Sequence, residues 1–112
     1  MALLTATRPT AAGVAWTPAA VSASDTISSS DLGSLGAYLV IVNGGGSPDN
    51  VTVSDSGLTP AGNAATTTAN AVTNATTEVM YISPRAVNPS TGVVTVTHSF
   101  TTSVTCVLLP LG

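Results

Sequence analysis

Six consecutive apolar residues, Ala37-Tyr38-Leu39-Val40-Ile41-Val42, run straight into Asn43-Gly44-Gly45-Gly46-Ser47-Pro48-Asp49. The run is too short for a buried helix, and its end is set by glycine and proline. β-Branched side chains such as Val40, Ile41 and Val42 lose rotamer freedom in helices and suit a pleated surface. The run therefore predicts a strand covered on both faces, in the middle of a sandwich. The rest of the chain is suited to building such a sandwich. Its 112 residues include nineteen Thr and fourteen Val, with ten Gly and seven Pro as turn punctuation. No segment carries a 3.6-residue apolar period, so no long helix is expected.

Further strands follow from alternation and breakers. Leu3–Thr7 reads as an extended arm ended by Arg8-Pro9. Thr17–Ile27 alternates weakly at Val21, Ala23 and Asp25. Ser28-Ser29-Ser30-Asp31 is a loop or the N-cap of one helical turn over Leu32–Leu35. Asn50–Ser54 alternates with Val51 and Val53 inward, so it forms a hairpin with Ala37–Val42. Residues 55–77 are low in complexity, a long loop with a short strand at Ala71-Val72. Glu78–Ile82 is a strand stopped by Ser83-Pro84. Gly92–His98 and Ser103–Leu108 form a closing hairpin, with Val94, Val96, His98 and Phe100 on one face and Val104, Cys106 and Leu108 on one face of the other.

The expected fold is all-β. It is a single antiparallel β-sandwich or flattened barrel of about six to seven short strands. An extended arm occupies residues 1–12 and the sandwich residues 13–112. Only four aromatics are present (Trp16, Tyr38, Tyr81, Phe100), so the core must come from Val, Leu, Ile and Ala.

Charge is scarce. Only 6% of residues are charged, lysine is absent, and Arg8 and Arg85 face five acids, for a net charge of −3. Without a basic patch the chain lacks the electrostatic footprint of nucleic-acid binding, and anionic membranes are disfavoured for the same reason. The longest apolar run falls far short of the ~20 residues that span a bilayer. Met1-Ala2-Leu3-Leu4-Thr5 has no basic lead and no long apolar stretch, so no signal peptide is expected. The single cysteine, Cys106, has no internal disulfide partner.

Few residues offer chemistry. His98 is the lone imidazole and would need an acid and an exposed serine to serve a triad. Its period with Val94 and Val96 reads instead as a packed strand residue. Cys106 alternates with Val104 and Leu108 and reads as a small buried hydrophobe. Zinc needs about four N or S ligands, and this chain has two. Ser47–Asn50 and Ser54–Gly57 lack calcium-loop spacing and read as Asx-turns. Gly44-Gly45-Gly46 lacks the phosphate-loop lysine and reads as a hairpin turn. Asn50-Val51-Thr52 and Asn74-Ala75-Thr76 match the glycosylation pattern by chance in a Thr-rich chain. Trp16 belongs either to one end of the core or to an interface. No catalytic residue, metal or cofactor is expected.

Arg8–Gly13, Thr17–Ala20, a loop with Asp25, Tyr38–Gly44 and Val51–Val53 together resemble the start of a family of small structural proteins. These are encoded beside the major capsid gene in tailed bacteriophages. Ile82-Ser83-Pro84, Gly92–His98 and Thr102–Leu109 resemble the family's closing strands, with His98 where an aromatic such as Tyr is expected. Residues 55–77 are unmatched. The resemblance implies a non-enzymatic capsid decoration or cement protein, β-rich and often trimeric. It would be made in the bacterial cytoplasm and would bind the major capsid protein on the capsid's outer surface. Apolar terminal segments are then the candidate contacts: Leu3, Leu4 and Arg8 of the arm, Trp16, and Leu109 and Leu111. The alternatives are another virion subunit (tail tube, head closure or fibre) or a carbohydrate-binding adhesin, which needs exposed coplanar aromatics.

Overall fold

The computed structural model describes residues 2–55, 60–61 and 69–111. These residues form nine strands: β1 (Ala2–Leu3), β2 (Ala19–Ala20), β3 (Ser24–Ser28), β4 (Ala37–Asn43), β5 (Asp49–Val53), β6 (Asn70–Val72), β7 (Thr76–Ile82), β8 (Val93–His98) and β9 (Val104–Pro110). One helical turn, α1 (Ser29–Leu32), and a 3-10 turn at Pro84–Ala86 complete the elements.

Two sheets pack face to face. The first has the order β1-β3-β8-β5-β6 and the second β2-β9-β4-β7. Pairing is antiparallel throughout, except that β1 lies parallel to β3. The partners nest along the chain: β2 with β9, β3 with β8, β4 with β7, β5 with β6. One long antiparallel ribbon has thus been rolled up, so that consecutive strands alternate between sheets except at its tip, where β5 and β6 form a hairpin in the first sheet. That is the jelly-roll arrangement of the β-sandwich.

The core follows from strand alternation. Ile27, Val94, Val96, Val51 and Val72 point inward from the first sheet, and Leu39, Ile41, Ile82, Val104 and Leu108 from the second. Leu32 of α1 adds a fully buried plug. Ser28 caps α1 by accepting from the Ser30 amide, so the turn begins at Ser29 rather than at Leu32 as the spacing predicts. Gly36 leads into β4 at φ +86°, and a Cβ there would meet the Ile82 carbonyl and the Tyr81 ring.

Two expected hairpins are not formed. β4 and β5 lie in opposite sheets, and so do β8 and β9. Alternation within a strand says which residues face inward. It does not say whether the next strand lies beside it or across the core. Side-chain bonds decide this for β4 and β5. Asn43 Nδ2 donates to the Ser47 and Val72 carbonyls, at 2.8 and 2.9 Å, and Oδ1 accepts from the Gly45 amide at 3.0 Å. These bonds hold the glycine segment as an arch between sheets. The β8–β9 connection packs beside it, with the Gly44 amide donating to the Ser103 carbonyl at 2.9 Å.

The arm is not free. The Leu4 amide donates to Thr26 of β3, and the Thr7 amide donates to Leu108 of β9, both at 2.8 Å. The arm thereby closes one side of the sandwich, and Leu4 is buried in the core. Of the low-complexity stretch proposed as a loop, residues 56–59 and 62–68 lie outside the described residues; its expected short strand is β6, and its last two residues, Thr76 and Thr77, begin β7.

Gly36→Ala should lower stability by about 2–4 kcal/mol, combining left-handed backbone strain with a clash against backbone. Chemical denaturation of the two forms measures it.

Candidate functional site

Two features stand out, one inside the sandwich and one on its surface. Inside, Asp25 of β3, His98 at the end of β8 and Asp49 at the start of β5 form one diagonal row on the inner face of the first sheet. Their side chains are 1%, 1% and 0% exposed. His98 Nδ1 lies 2.6 Å from Asp49 Oδ2, and Nε2 lies 3.9 Å from Asp25 Oδ2. Asp49 Oδ1 also accepts from the Ser99 and Phe100 amides, at 3.0 and 3.2 Å. Asp25 accepts from the Ser22 amide at 3.1 Å and bonds the Ser22 hydroxyl. Every buried side-chain nitrogen and oxygen among the described residues has a partner.

This row lacks the geometry of a catalytic triad. A nucleophilic serine must share a hydrogen bond with the imidazole. The Ser22 hydroxyl instead bonds Asp25 and lies 2.9 Å from the Ser24 carbonyl. The two imidazole nitrogens face different carboxylates, so the three side chains do not converge on one ion. No group of three or more His, Cys, Asp or Glu among the described residues is placed to hold a metal. The His98–Asp49 bond ties β8 to β5, and Asp25 holds Ser22 at the start of β3, so the three side chains close one end of the first sheet.

Cys106 lies across from this row in β9 and is buried, as its alternation predicts. Burial and the nearby Asp25 charge push its thiol up from 9.0 to about 11. A thiol this reluctant to ionise is a poor nucleophile. A cavity of about 250 Å³ lies between the arm at Leu4–Arg8 and the segment leading to β2, floored by Cys106–Leu108. Arg8 is the only ionic side chain on it, and that group pairs with Asp31 at 3.5 Å.

On the surface, the outward row of the second sheet carries Tyr38, Val40 and Val42 of β4, Thr77, Val79 and Tyr81 of β7, and Thr105, Val107 and Leu109 of β9. None of the nine is charged. Val79 is 61% exposed, Tyr81 55% and Tyr38 44%. On its outer side β4 is exposed at Tyr38 and half-buried at Val42, while Val40 and the neighbouring Val107 are buried, so the middle of the strand is covered on both faces as its apolar run predicts. The two tyrosines meet edge to face, with centroids 6.3 Å apart and planes at 68°. Tyr81 donates its hydroxyl to the Leu35 carbonyl at 2.8 Å, and the Leu111 amide donates to Gly36 at 3.0 Å. These bonds extend the patch to the exposed side chains of Leu35 and Leu111.

The contacts expected from the sequence separate into two groups. Leu109, half-buried, and Leu111 join the apolar face. Leu3 and Trp16 are exposed on other segments, Trp16 at 56%, so its core reading fails. Leu4 is not available as an outside contact, because it fills the core between the arm and β3. From sequence, Tyr38 and Tyr81 are expected as contacts only in the carbohydrate-binding alternative, where they would stack on sugar with Trp16, and Val79 is not expected as a contact, although the alternation of Glu78–Ile82 puts Val79 and Tyr81 in one row. The partnership of His98 with Asp25 and Asp49 had no sequence signal, since the three are far apart in the chain.

No family model matches the chain, and neither does any curated protein or solved structure. No helix among the described residues is long and apolar enough to cross a membrane.

Asp49→Ala should cost about 3–5 kcal/mol, because it strands a buried imidazole and two amides. A double-mutant cycle with His98→Ala should show coupling well above 1 kcal/mol. Cys106 gives a pH test. The unfolded thiol ionises near pH 9.0 while the folded one holds its proton to about pH 11. Stability therefore falls across that window, by about 2–3 kcal/mol in total. Cys106→Val should lack this slope in denaturation midpoints taken across the range.

Proposed function

We propose that this chain is a non-enzymatic virion structural protein, a decoration or cement protein bound to the major capsid protein on the outside of a tailed-phage capsid. The observation that carries the reading is the uncharged outer face of the second sheet, with Tyr38, Val79 and Tyr81 exposed side by side. Contiguous apolar surface of this kind marks an interaction site. Exposed tyrosines are typical anchors in such sites.

Other observations agree. Jelly rolls recur in viral capsid and lectin domains, which is an analogy of fold and not of site. The sequence resemblance to decoration proteins points the same way and favours a trimer. Charge is scarcer on the surface than composition implies, because Asp25 and Asp49 lie in the core. Association then depends on shape and apolar contact more than on long-range steering. The carbohydrate-binding alternative wants coplanar rings, and the edge-to-face tyrosine pair supplies no such platform.

Val79→Asp tests the reading. The residue is exposed, so the fold and its melting temperature should be nearly unchanged. Binding to purified capsids should weaken about tenfold or more. Reconstruction of decorated particles should place the chain in many copies on the shell. Placement at one vertex or along the tail would replace this reading with that of a head-closure or tail subunit.

A further inference from the structure

The two sides of the sandwich are finished differently. On one side the arm pairs with β3 and bridges to Leu108, covering the sheet edges. On the other, β7 pairs with β4 along all seven of its residues, and no strand among the described residues pairs with its far edge. Thr76, Thr77, Glu78, Val79 and Tyr81 of this strand are exposed. A long, exposed edge without proline or lysine presents a row of backbone donors and acceptors that another strand can pair with.

One residue sets the terms of pairing. Glu78 is the only charged side chain in any strand of the second sheet. It stands opposite the fully buried Ile41, and so on the inner row, but remains exposed because β7 is at the edge. No ion pair holds it among the described residues. An inward-facing charge on an edge strand opposes indiscriminate pairing. A strand laid beside β7 would cover this carboxylate and leave it short of both water and a cation.

A second copy fits poorly. Full antiparallel overlap of β7 with itself puts Val79 opposite its counterpart and the two Glu78 side chains on a diagonal, about 7–8 Å apart. Sliding the pairing by two residues sets them face to face. Face to face, the like charges are destabilising, and on the diagonal they still repel across about 7–8 Å with no cation between them.

We propose that the edge of β7 that no described strand pairs with is a strand-addition site, and that it takes an extended segment of another protein bearing lysine or arginine beside Glu78. Backbone hydrogen bonds supply the affinity, and the buried ion pair with Glu78 selects the partner and its register. The proposal does not depend on the capsid reading. Loss of capsid binding with strand binding intact would overturn that reading alone.

The test uses the full ¹⁵N-labelled chain and two short soluble peptides of alternating Thr and Val, one with a central arginine and one with glutamate there. The arginine peptide should bind with amide shifts centred on β7, and the glutamate peptide about tenfold more weakly, a difference of roughly 1.4 kcal/mol. Glu78→Lys should invert the order. Equal binding of both peptides would overturn the proposal. So would shifts centred elsewhere, an order unchanged in Glu78→Lys, or self-pairing of the unmodified chain at β7 in sedimentation and cross-strand NOE measurements.

Discussion

The 2.6 Å contact between His98 and Asp49 joins two strands whose inner faces are otherwise apolar. It sits where β8 ends and β5 begins, the point at which the chain must leave one sheet for the other. A sandwich end is hard to close with hydrocarbon alone, because the connecting segments bring backbone amides into the interior and these must be paired. Asp49 answers this by accepting two of those amides with one oxygen while holding His98 with the other. Asp25 likewise accepts the Ser22 amide and hydroxyl where the chain enters β3. The rolled-up ribbon needs such ties because the chain changes sheets at nearly every connection.

The ties also redistribute charge. Two of five carboxylates are spent inside the molecule, which leaves a surface with two arginines and three acids. Arg8 and Asp31 pair with each other. The outer row of the second sheet is then free of charge over three adjacent strands, and its one acid, Glu78, lies on the other row at the edge.

Much of the fold was legible in order and type. The alternation at Val51 and Val53, at Val94, Val96 and His98, and at Val104, Cys106 and Leu108 identified inward rows that the structure keeps. The burial of His98 and Cys106 follows from the same period. The hairpins were misread because five residues between strands serve either as a loop within one sheet or as an arch between two. Asn43 makes the difference, and one of its bonds reaches Val72, 29 residues away. Leu4 was misread as a free contact because an apolar arm has the same local pattern whether it docks on its own core or on a neighbour.

Period-two alternation and the placement of glycine and proline thus dictate a small all-β domain with an aliphatic core and almost no surface charge. These properties are local, and each can be read a few residues at a time. Which strands become neighbours, which sheet face stays bare and which side chains meet His98 depend on pairings between distant segments. Backbone hydrogen bonds in a sheet carry no sequence identity. Only the packed arrangement, with the buried polar side chains of the described residues matched, selects the jelly roll, and with it the exposed tyrosine pair and a β7 edge that no described strand pairs with.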